Sequence, residues 1–465
     1  MTAYEYETLL KVYEDSQDLG YAPNVGRNLP ERRALLRLQL MGLVERLSIG
    51  HVGARKWSLT EKGLSIVTSW SFDRVYPKTV LHEIWLLDFL SYGGRGQSLK
   101  LGGLNVIIGT NGSGKSNFID AISLLQSLPG DIQGPVRKGG GVDAFLNNGL
   151  PDRHEAAIRV KVHPSRLKRP LDYQFTFTSS GGRLMITEEQ LSGIPFDSSS
   201  ATSVKLFSVN PFRVELFNRR RSRRSLDLGY DRSQSILAQR KDPDVYPELT
   251  SVATVLQAIR IYRNWHFGRE SEIRKPGRVD LPNDHLLPDC SNLGLVLSAI
   301  QKSPAAKQNL LGNLRELYPE ITDYSVQIEG GTVQVFLIEG DRIVPLVRLS
   351  DGTLRYICIL AVLCHPNPSP LVCIEEPELG LHPDVIPRLG KLLLEASQRF
   401  QIIVTTHSDI LIDSLSEAPE SVVVSERTDE GTVLKRLSAK ELKPWLEKYR
   451  LGSLWLRGHI GGLRD

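Results

Sequence analysis

Gly109-Thr110-Asn111-Gly112-Ser113-Gly114-Lys115-Ser116 has the spacing of a phosphate-binding loop, and its neighbours suit that chemistry. The apolar run from Leu104 to Ile108 before it reads as a buried strand, and the residues after it as an amphipathic helix. In such a loop the glycines let backbone amides curl around phosphates while the helix N-terminus adds positive potential. Lys115 then reaches the β and γ phosphates and the Ser116 hydroxyl takes a magnesium ion, with Asn111, Ser113 and Asn117 beside them. Two further apolar runs end in reactive groups. Leu371-Val372-Cys373-Ile374 suits a buried parallel strand and ends in the carboxylates Glu375 and Glu376. Gln401-Ile402-Ile403-Val404-Thr405-Thr406 ends at His407. A fourth segment, Leu349-Ser350-Asp351-Gly352-Thr353, precedes a helix with Leu354, Ile357, Leu360 and Leu363 at core-facing spacing. Alone it reads as a helix cap.

Taken in order, the four segments resemble ABC-type ATPases, with a Walker A loop, a signature, a Walker B strand and a switch histidine. The resemblance implies that Ser350, Gly352 and their helix N-terminus bind the γ-phosphate held by a second copy. It implies that Glu376 orients or deprotonates the attacking water and that Glu375 holds the magnesium shell. The broader family has Asp at the position of Glu375; proteins resembling this one carry EEPE-x-x-LHP, matched by Glu375 to Glu378 and Leu381 to Pro383. Residues 378–381 would form the dimer-facing D-loop, and His407 would sense the γ-phosphate. The Q-loop glutamine is not assigned, because Gln126 follows Lys115 too closely and Gln133 lies in an irregular Gly-rich stretch. From Ile84 to the tail the chain is similar to compact ATPases related to the SMC and RecF groups, with further matches at Ser291-Asn292-Leu293 and along 449–462. The tail resembles the AAA_21 branch of predicted prokaryotic ATPases, whose members commonly lack a long arm and sit in defence or genome-maintenance settings. ATP and Mg2+ are the ligands this implies, and a homodimer closed through its nucleotide sites is the assembly.

The fold class expected is α/β: a P-loop core split by an α+β insertion and preceded by a small winged-helix-like domain. Residues 1–75 form that first domain, 81–165 the N-terminal lobe with Walker A, 166–344 the insertion or lid, and 345–465 the C-terminal lobe. In the first domain, Leu36, Leu40, Leu43 and Leu47 make one apolar stripe on a helix decorated by Arg32, Arg33 and Arg37. Gly50 and Gly53 break it, and residues 56–59 read as a strand. GLVERL followed by KWSLTEKG resembles a winged helix, a module that serves either DNA recognition or protein docking. Both readings stand at this point. In the insertion, Gln174 to Phe177 alternates as a strand and 252–265 reads as helical, with no sustained heptads and therefore no long coiled-coil arm.

At 465 residues with no apolar run of spanning length and no signal-peptide pattern, the chain reads as cytoplasmic, with two or three folded units and no membrane contact. Cys290, Cys358, Cys364 and Cys373 form no C-x-x-C pair, so buried reduced thiols are expected rather than disulfides or zinc. A net charge of +4 does not by itself argue for nucleic acid. Basic clusters at Arg219, Arg220, Arg221, Arg223 and Arg224, and at Arg166, Lys168 and Arg169, read either as solvated loops or as a track for a phosphate backbone. Two functions from different classes follow. One is an ATP-driven dimeric switch that controls a separately encoded effector, a nuclease or toxin, in prokaryotic defence. The other is a genome-maintenance ATPase that clamps DNA through the winged helix and the arginines. The short tail after His407 holds no second acid cluster, so no nuclease activity is expected in this chain.

Overall fold

The computed structural model describes residues 79–147, 154–165, 167, 169–194, 203–210, 213–217, 223–225 and 230–461, and before them 35, 38–39, 44–47 and 56–60. The chain divides into two compact units, Met1–Val75 and Tyr76–Asp465. In the first unit, strands β1 (Val44–Leu47) and β2 (Lys56–Leu59) form an antiparallel hairpin, with Val44 opposite Leu59. The strand expected at 56–59 is therefore present. Leu47, expected on the helical stripe, lies instead in β1. Its leucine spacing continues a helical period by coincidence, while pairing with β2 supplies the backbone bonds that decide the local structure. Leu36, Leu40, Leu43 and the three arginines of that stripe lie outside the described residues, as does the rest of the winged-helix expectation.

The second unit contains three sheets. The largest is antiparallel, in the order β11-β10-β9-β8-β7-β6-β3-β4. These strands are β3 (Leu81–Leu87), β4 (Gln97–Lys100), β6 (Glu155–Val162), β7 (Leu171–Ser180), β8 (Arg183–Gly193), β9 (Val204–Asn210), β10 (Arg213–Phe217) and β11 (Arg223–Ser225). The boundary expected at 165 thus falls between two paired strands, Val162 facing Leu171. The second sheet is the core: β5 (Leu104–Ile108), β12 (Arg260–Tyr262), β17 (Leu371–Glu375), β18 (Gln401–Thr406), β19 (Val422–Thr428) and β20 (Gly431–Arg436). Their order is β12-β17-β18-β5-β19-β20, parallel except for the last pair. The third, smaller sheet holds β13 (Gly277–Arg278), β14 (Ile321–Glu329), β15 (Thr332–Glu339) and β16 (Arg342–Pro345).

Continuous apolar runs make the core strands because both of their faces are buried. Successive residues alternate between two cores. Ile107, Cys373, Ile403 and Val423 join one, with helices α1 (Lys115–Ser127) and α2 (Pro247–Gln257) and the eight-stranded sheet. Val106, Ile374, Val404 and Val422 join the other, with α3 (Leu293–Gln301), α4 (Pro304–Leu317), α5 (Asp351–Leu363) and α6 (Ile386–Ala396). Helix α4, at 14 residues, is the longest among the described residues. The stretch 252–265, expected to be helical throughout, leaves α2 at Gln257 and enters β12. A three-residue strand is too short to show a period, and its neighbour β17 decides its conformation. All four cysteines are buried free thiols, as expected.

Gln401, fully buried at the start of β18, joins two sheets. Its Oε1 accepts from the amides of Val80 and Leu81, and its Nε2 donates to the carbonyls of Leu81 and Gly102, all at 2.8–3.1 Å. Replacing Gln401 with Ala leaves buried backbone groups without partners, at roughly 1–3 kcal/mol each when nothing relaxes. The Gln401→Ala chain should unfold at a visibly lower urea concentration, by about 3 kcal/mol, and an unchanged midpoint would show that the linkage carries no stability.

Candidate nucleotide site

The parallel register sets the site. Ile108 pairs with Thr406, Thr405 with Glu375 and Ile374 with Tyr262, so β5, β18, β17 and β12 finish side by side at one sheet edge. Carboxyl ends of parallel strands are where such sheets bind ligands. From Ile108 the chain enters residues 109–114, and α1 begins at Lys115. Gly112 has φ +76° and faces open space; Gly114 has φ +100°, and a Cβ there would lie 2.4 Å from Thr432 Oγ1. The first glycine is required by conformation, the second by conformation and crowding together. The loop is braced from behind. Ser425 Oγ and Thr432 Oγ1 donate to the Ser113 carbonyl, Tyr92 OH donates to the Gly114 carbonyl, and Asn117 Nδ2 donates to Ser91 Oγ at 2.7 Å. Asn117 thus supports the loop through Ser91, whereas Asn111 and Ser116 are exposed.

Lys115 is 6% exposed and donates to the carbonyls of Gly109 and Thr110, at 2.8 and 2.9 Å. Burial lowers its pKa to about 8, opposed in part by the charge of Glu376. Glu375 ends β17, and burial raises its pKa while Arg263 works against that rise. The nearby Ser116 hydroxyl also favours the charged form of Glu375, whose Oε1 is buried with no hydrogen-bond partner. Glu376 has φ +45°, a strained conformation for a side chain of its size, fixed by its amide donating to the Thr405 carbonyl at 2.9 Å. Its Oε1 stands 3.4 Å from His407 Nε2. Burial first and Lys115 second lower the pKa of His407, so this imidazole is neutral near pH 7. Glu378 Oε1 accepts from Thr406 Oγ1 and from the amide of His407, which binds the expected D-loop to the strand that carries the histidine.

The segment around Ser350 is built separately. Ser350 caps α5, its Oγ accepting from the Thr353 amide and bonding Thr353 Oγ1 at 2.7 Å. A Cβ on Gly352 would lie 2.6 Å from the carbonyl oxygen of Gly380, so this part of the signature packs directly on the D-loop of its own chain. Arg274 fixes the approach. Its guanidinium donates to the carbonyls of Val347, Leu349 and Phe267 and pairs with Asp351 at 2.5 Å. Neither Ser350 nor Gly352 shows a hydrogen bond to residues 109–116 among the described contacts.

Motif reading missed three residues, two of which lie beside Glu375. Asp120, one turn along α1 from Ser116, pairs with Arg263 Nη1 at 2.7 Å, and Arg263 Nε stands 3.5 Å from Glu375. The third is Arg274. None belongs to a contiguous motif; only the position of Arg263 after a strand-like Ile-Tyr pair could have drawn notice. Gln126 and Gln133 donate to the carbonyls of Ile259 and of Leu184 and Ser233, which accounts for both in structural terms. Of the basic clusters, Arg166, Lys168 and Arg219 to Arg221 lie outside the described residues, while Arg223 and Arg224 lie on β11.

The residues present fit a nucleoside triphosphate and a hard cation. Glycine backbone and a buried lysine suit phosphates, and the partnerless Glu375 oxygen beside an exposed hydroxyl supplies the all-oxygen donors Mg2+ takes. The family model described as "AAA domain, putative AbiEii toxin, Type IV TA system" matches residues 104–413, two thirds of the chain, from the start of β5 to just beyond His407. The chain belongs to this family. A solved SMC head, bound in its crystal to the C-winged helix domain of ScpA, superposes with a TM-score of 0.50 at 14% identity, covering 78% of this chain and 99% of that one. An SMC head with an extended coiled coil, derived from Pyrococcus furiosus, gives 0.49 at 13% identity, covering 79% and 98%. The fold is thus that of the SMC-like, ABC-type ATPases. No curated protein matches the chain in sequence.

The lowered pKa of Lys115 has a testable sign. Above pH 8 a growing share of the free chain holds a neutral amine, whereas bound phosphates favour the ammonium. Affinity for a non-hydrolysable ATP analogue should therefore fall as pH rises through about 8, with proton uptake on binding visible by calorimetry in buffers of different ionisation heat. Lys115→Arg should abolish the uptake, because arginine keeps its proton throughout.

Proposed function

We propose that this chain is a homodimeric ATPase switch, with two composite sites that each take residues 109–116, Glu376 and His407 from one copy and Ser350 and Gly352 from the other. The observation that carries the reading is the arrangement of adjacent parallel strand ends. They bring loop, carboxylates and histidine to one edge, while the capped helix N-terminus at Ser350 serves none of them in its own chain. Such a helix end is an anion site awaiting a ligand. Glu376 takes a proton from the attacking water, held in place by its strained backbone and by the neutral His407 beside it. Lys115 neutralises the β and γ phosphates, and Ser116 with Glu375 would hold Mg2+, which supplies charge neutralisation when bound. His407 donates through its imidazole toward the γ-phosphate.

We further propose that the opening and closing of this dimer regulates a separately encoded effector, a nuclease or toxin, in a prokaryotic anti-phage defence system. The support is membership of a family whose model carries a toxin–antitoxin description. This chain itself cleaves no nucleic acid in that reading, and DNA cleavage by the pure chain would overturn it.

Two measurements test the mechanism. Glu376→Gln should bind ATP normally and turn over about 10²–10⁴-fold more slowly, since it loses the base and keeps the phosphate cradle; a fast variant would remove Glu376 from the role. Lys115→Ala and Ser350→Arg chains should each be inactive alone. Mixed in equal amounts they should recover roughly a quarter of the wild-type rate, because half the dimers then hold one intact site. No recovery would mean that each chain closes its own site. Stimulation of the wild-type rate by duplex DNA would favour a DNA clamp over a protein-triggered switch.

A further inference from the structure

Beyond these roles, we propose that Arg263 is a resident counter-ion of the metal end of the site and that it makes divalent-cation binding depend on the nucleotide. The inference rests on reading Glu375 as the metal carboxylate. Strand β12 lies parallel to β17 with Tyr262 opposite Ile374, so the next residue of each strand, Arg263 and Glu375, finish side by side. Asn264, at φ +53°, breaks the extended course of the chain immediately after the arginine. The guanidinium stands between two carboxylates on different elements: 2.7 Å from Asp120 on α1 and 3.5 Å from Glu375 on β17. All three side chains are mostly covered, at 28% exposure for Arg263 and Asp120 and 15% for Glu375.

Two carboxylates brought together under cover repel, and a cation must offset them. Arg263 is that cation in the nucleotide-free chain, already tethered and always charged. The engagement is incomplete on both sides. Arg263 Nη2 and Glu375 Oε1 are each buried without a hydrogen-bond partner, so the pair retains an unused donor and an unused acceptor. Among the described residues no three His, Cys, Asp or Glu side chains gather as a cage for a metal. A free divalent ion would find few donors here and a fixed positive charge beside them. Nucleotide phosphates reverse both conditions, adding oxygens and enough negative charge to hold the ion and the arginine together. The site would thus admit the metal with its nucleotide and discriminate against the ion alone.

The probe is Mn2+, followed by the paramagnetic resonance of the free ion, on the full chain without nucleotide and with a non-hydrolysable ATP analogue. Without nucleotide, the wild type and Arg263→Lys should bind weakly, and Arg263→Gln should bind on the order of tenfold more tightly, because a nearby positive charge is gone. Adding Glu375→Gln to that variant should cancel the gain. Arg263→Met removes the charge in a second way, for use if the Gln variant unfolds in a circular-dichroism melt. Equal Mn2+ affinity in the wild type and in the charge-free variants would overturn the proposal, as would tight binding by Arg263→Lys. A different result marks failure of the underlying reading: Glu375→Gln leaving Mn2+ binding with the analogue unchanged would mean that Glu375 is no ligand.

Discussion

Everything at the site depends on the parallel register of four strands. A shift of one residue between β5 and β18 would move every side chain of the shifted strand to the opposite face. Val106 and Val404 now enter one core and Ile107 and Ile403 the other, and a slip would exchange them. Burial on both faces therefore locks the alignment, and the alignment places Glu375, His407 and the start of the glycine loop together. The chemistry inherits its precision from hydrophobic packing that touches no phosphate. Gln401 and Asn105 add polar links at the other end of the same strands, Asn105 Nδ2 donating to the carbonyls of Gly102 and Ile402.

The parts of the site that sequence alone revealed are those in which one short segment holds both the structural cause and the chemistry. Residues 104–116 contain their own buried strand, their own glycine turn and their own lysine, so spacing was enough. The same is true of Leu371 to Glu376 and of Gln401 to His407. Arg263 and Arg274 were not legible because their partners lie far along the chain: Asp120 and Glu375 for one, Val347 to Asp351 for the other. Nothing in an isolated arginine states which carboxylate it will meet. Strand β12 was lost for a related reason, since pairing with β17 gives it a structure that its three residues do not announce. Leu47 shows the opposite error, a convincing helical period carried by a residue that pairs across a hairpin.

The two arginines also hold one connection at both of its ends. Between them runs the chain from β12 to the approach of the small sheet, anchored at one end to Asp120 and Glu375 and at the other to the carbonyls before Ser350. Hydrophobic residues in this stretch reinforce it: Trp265 and Phe267 pack edge to face, with the Arg355 guanidinium 5.3 Å from the Phe267 ring.

Gly352 meets the Gly380 carbonyl with no room for a side chain of its own, and that contact makes one inheritable unit of two distant stretches of sequence. Position 352 cannot acquire a methyl group while the backbone at 380 stays where it is, and Gly380 holds that backbone at φ +71°. Lineages that alter one are expected to alter the loop around the other, so the pair should drift together over evolutionary time. A designer wishing to retune one chain's contribution to its neighbour would have to treat the two loops as a single cassette.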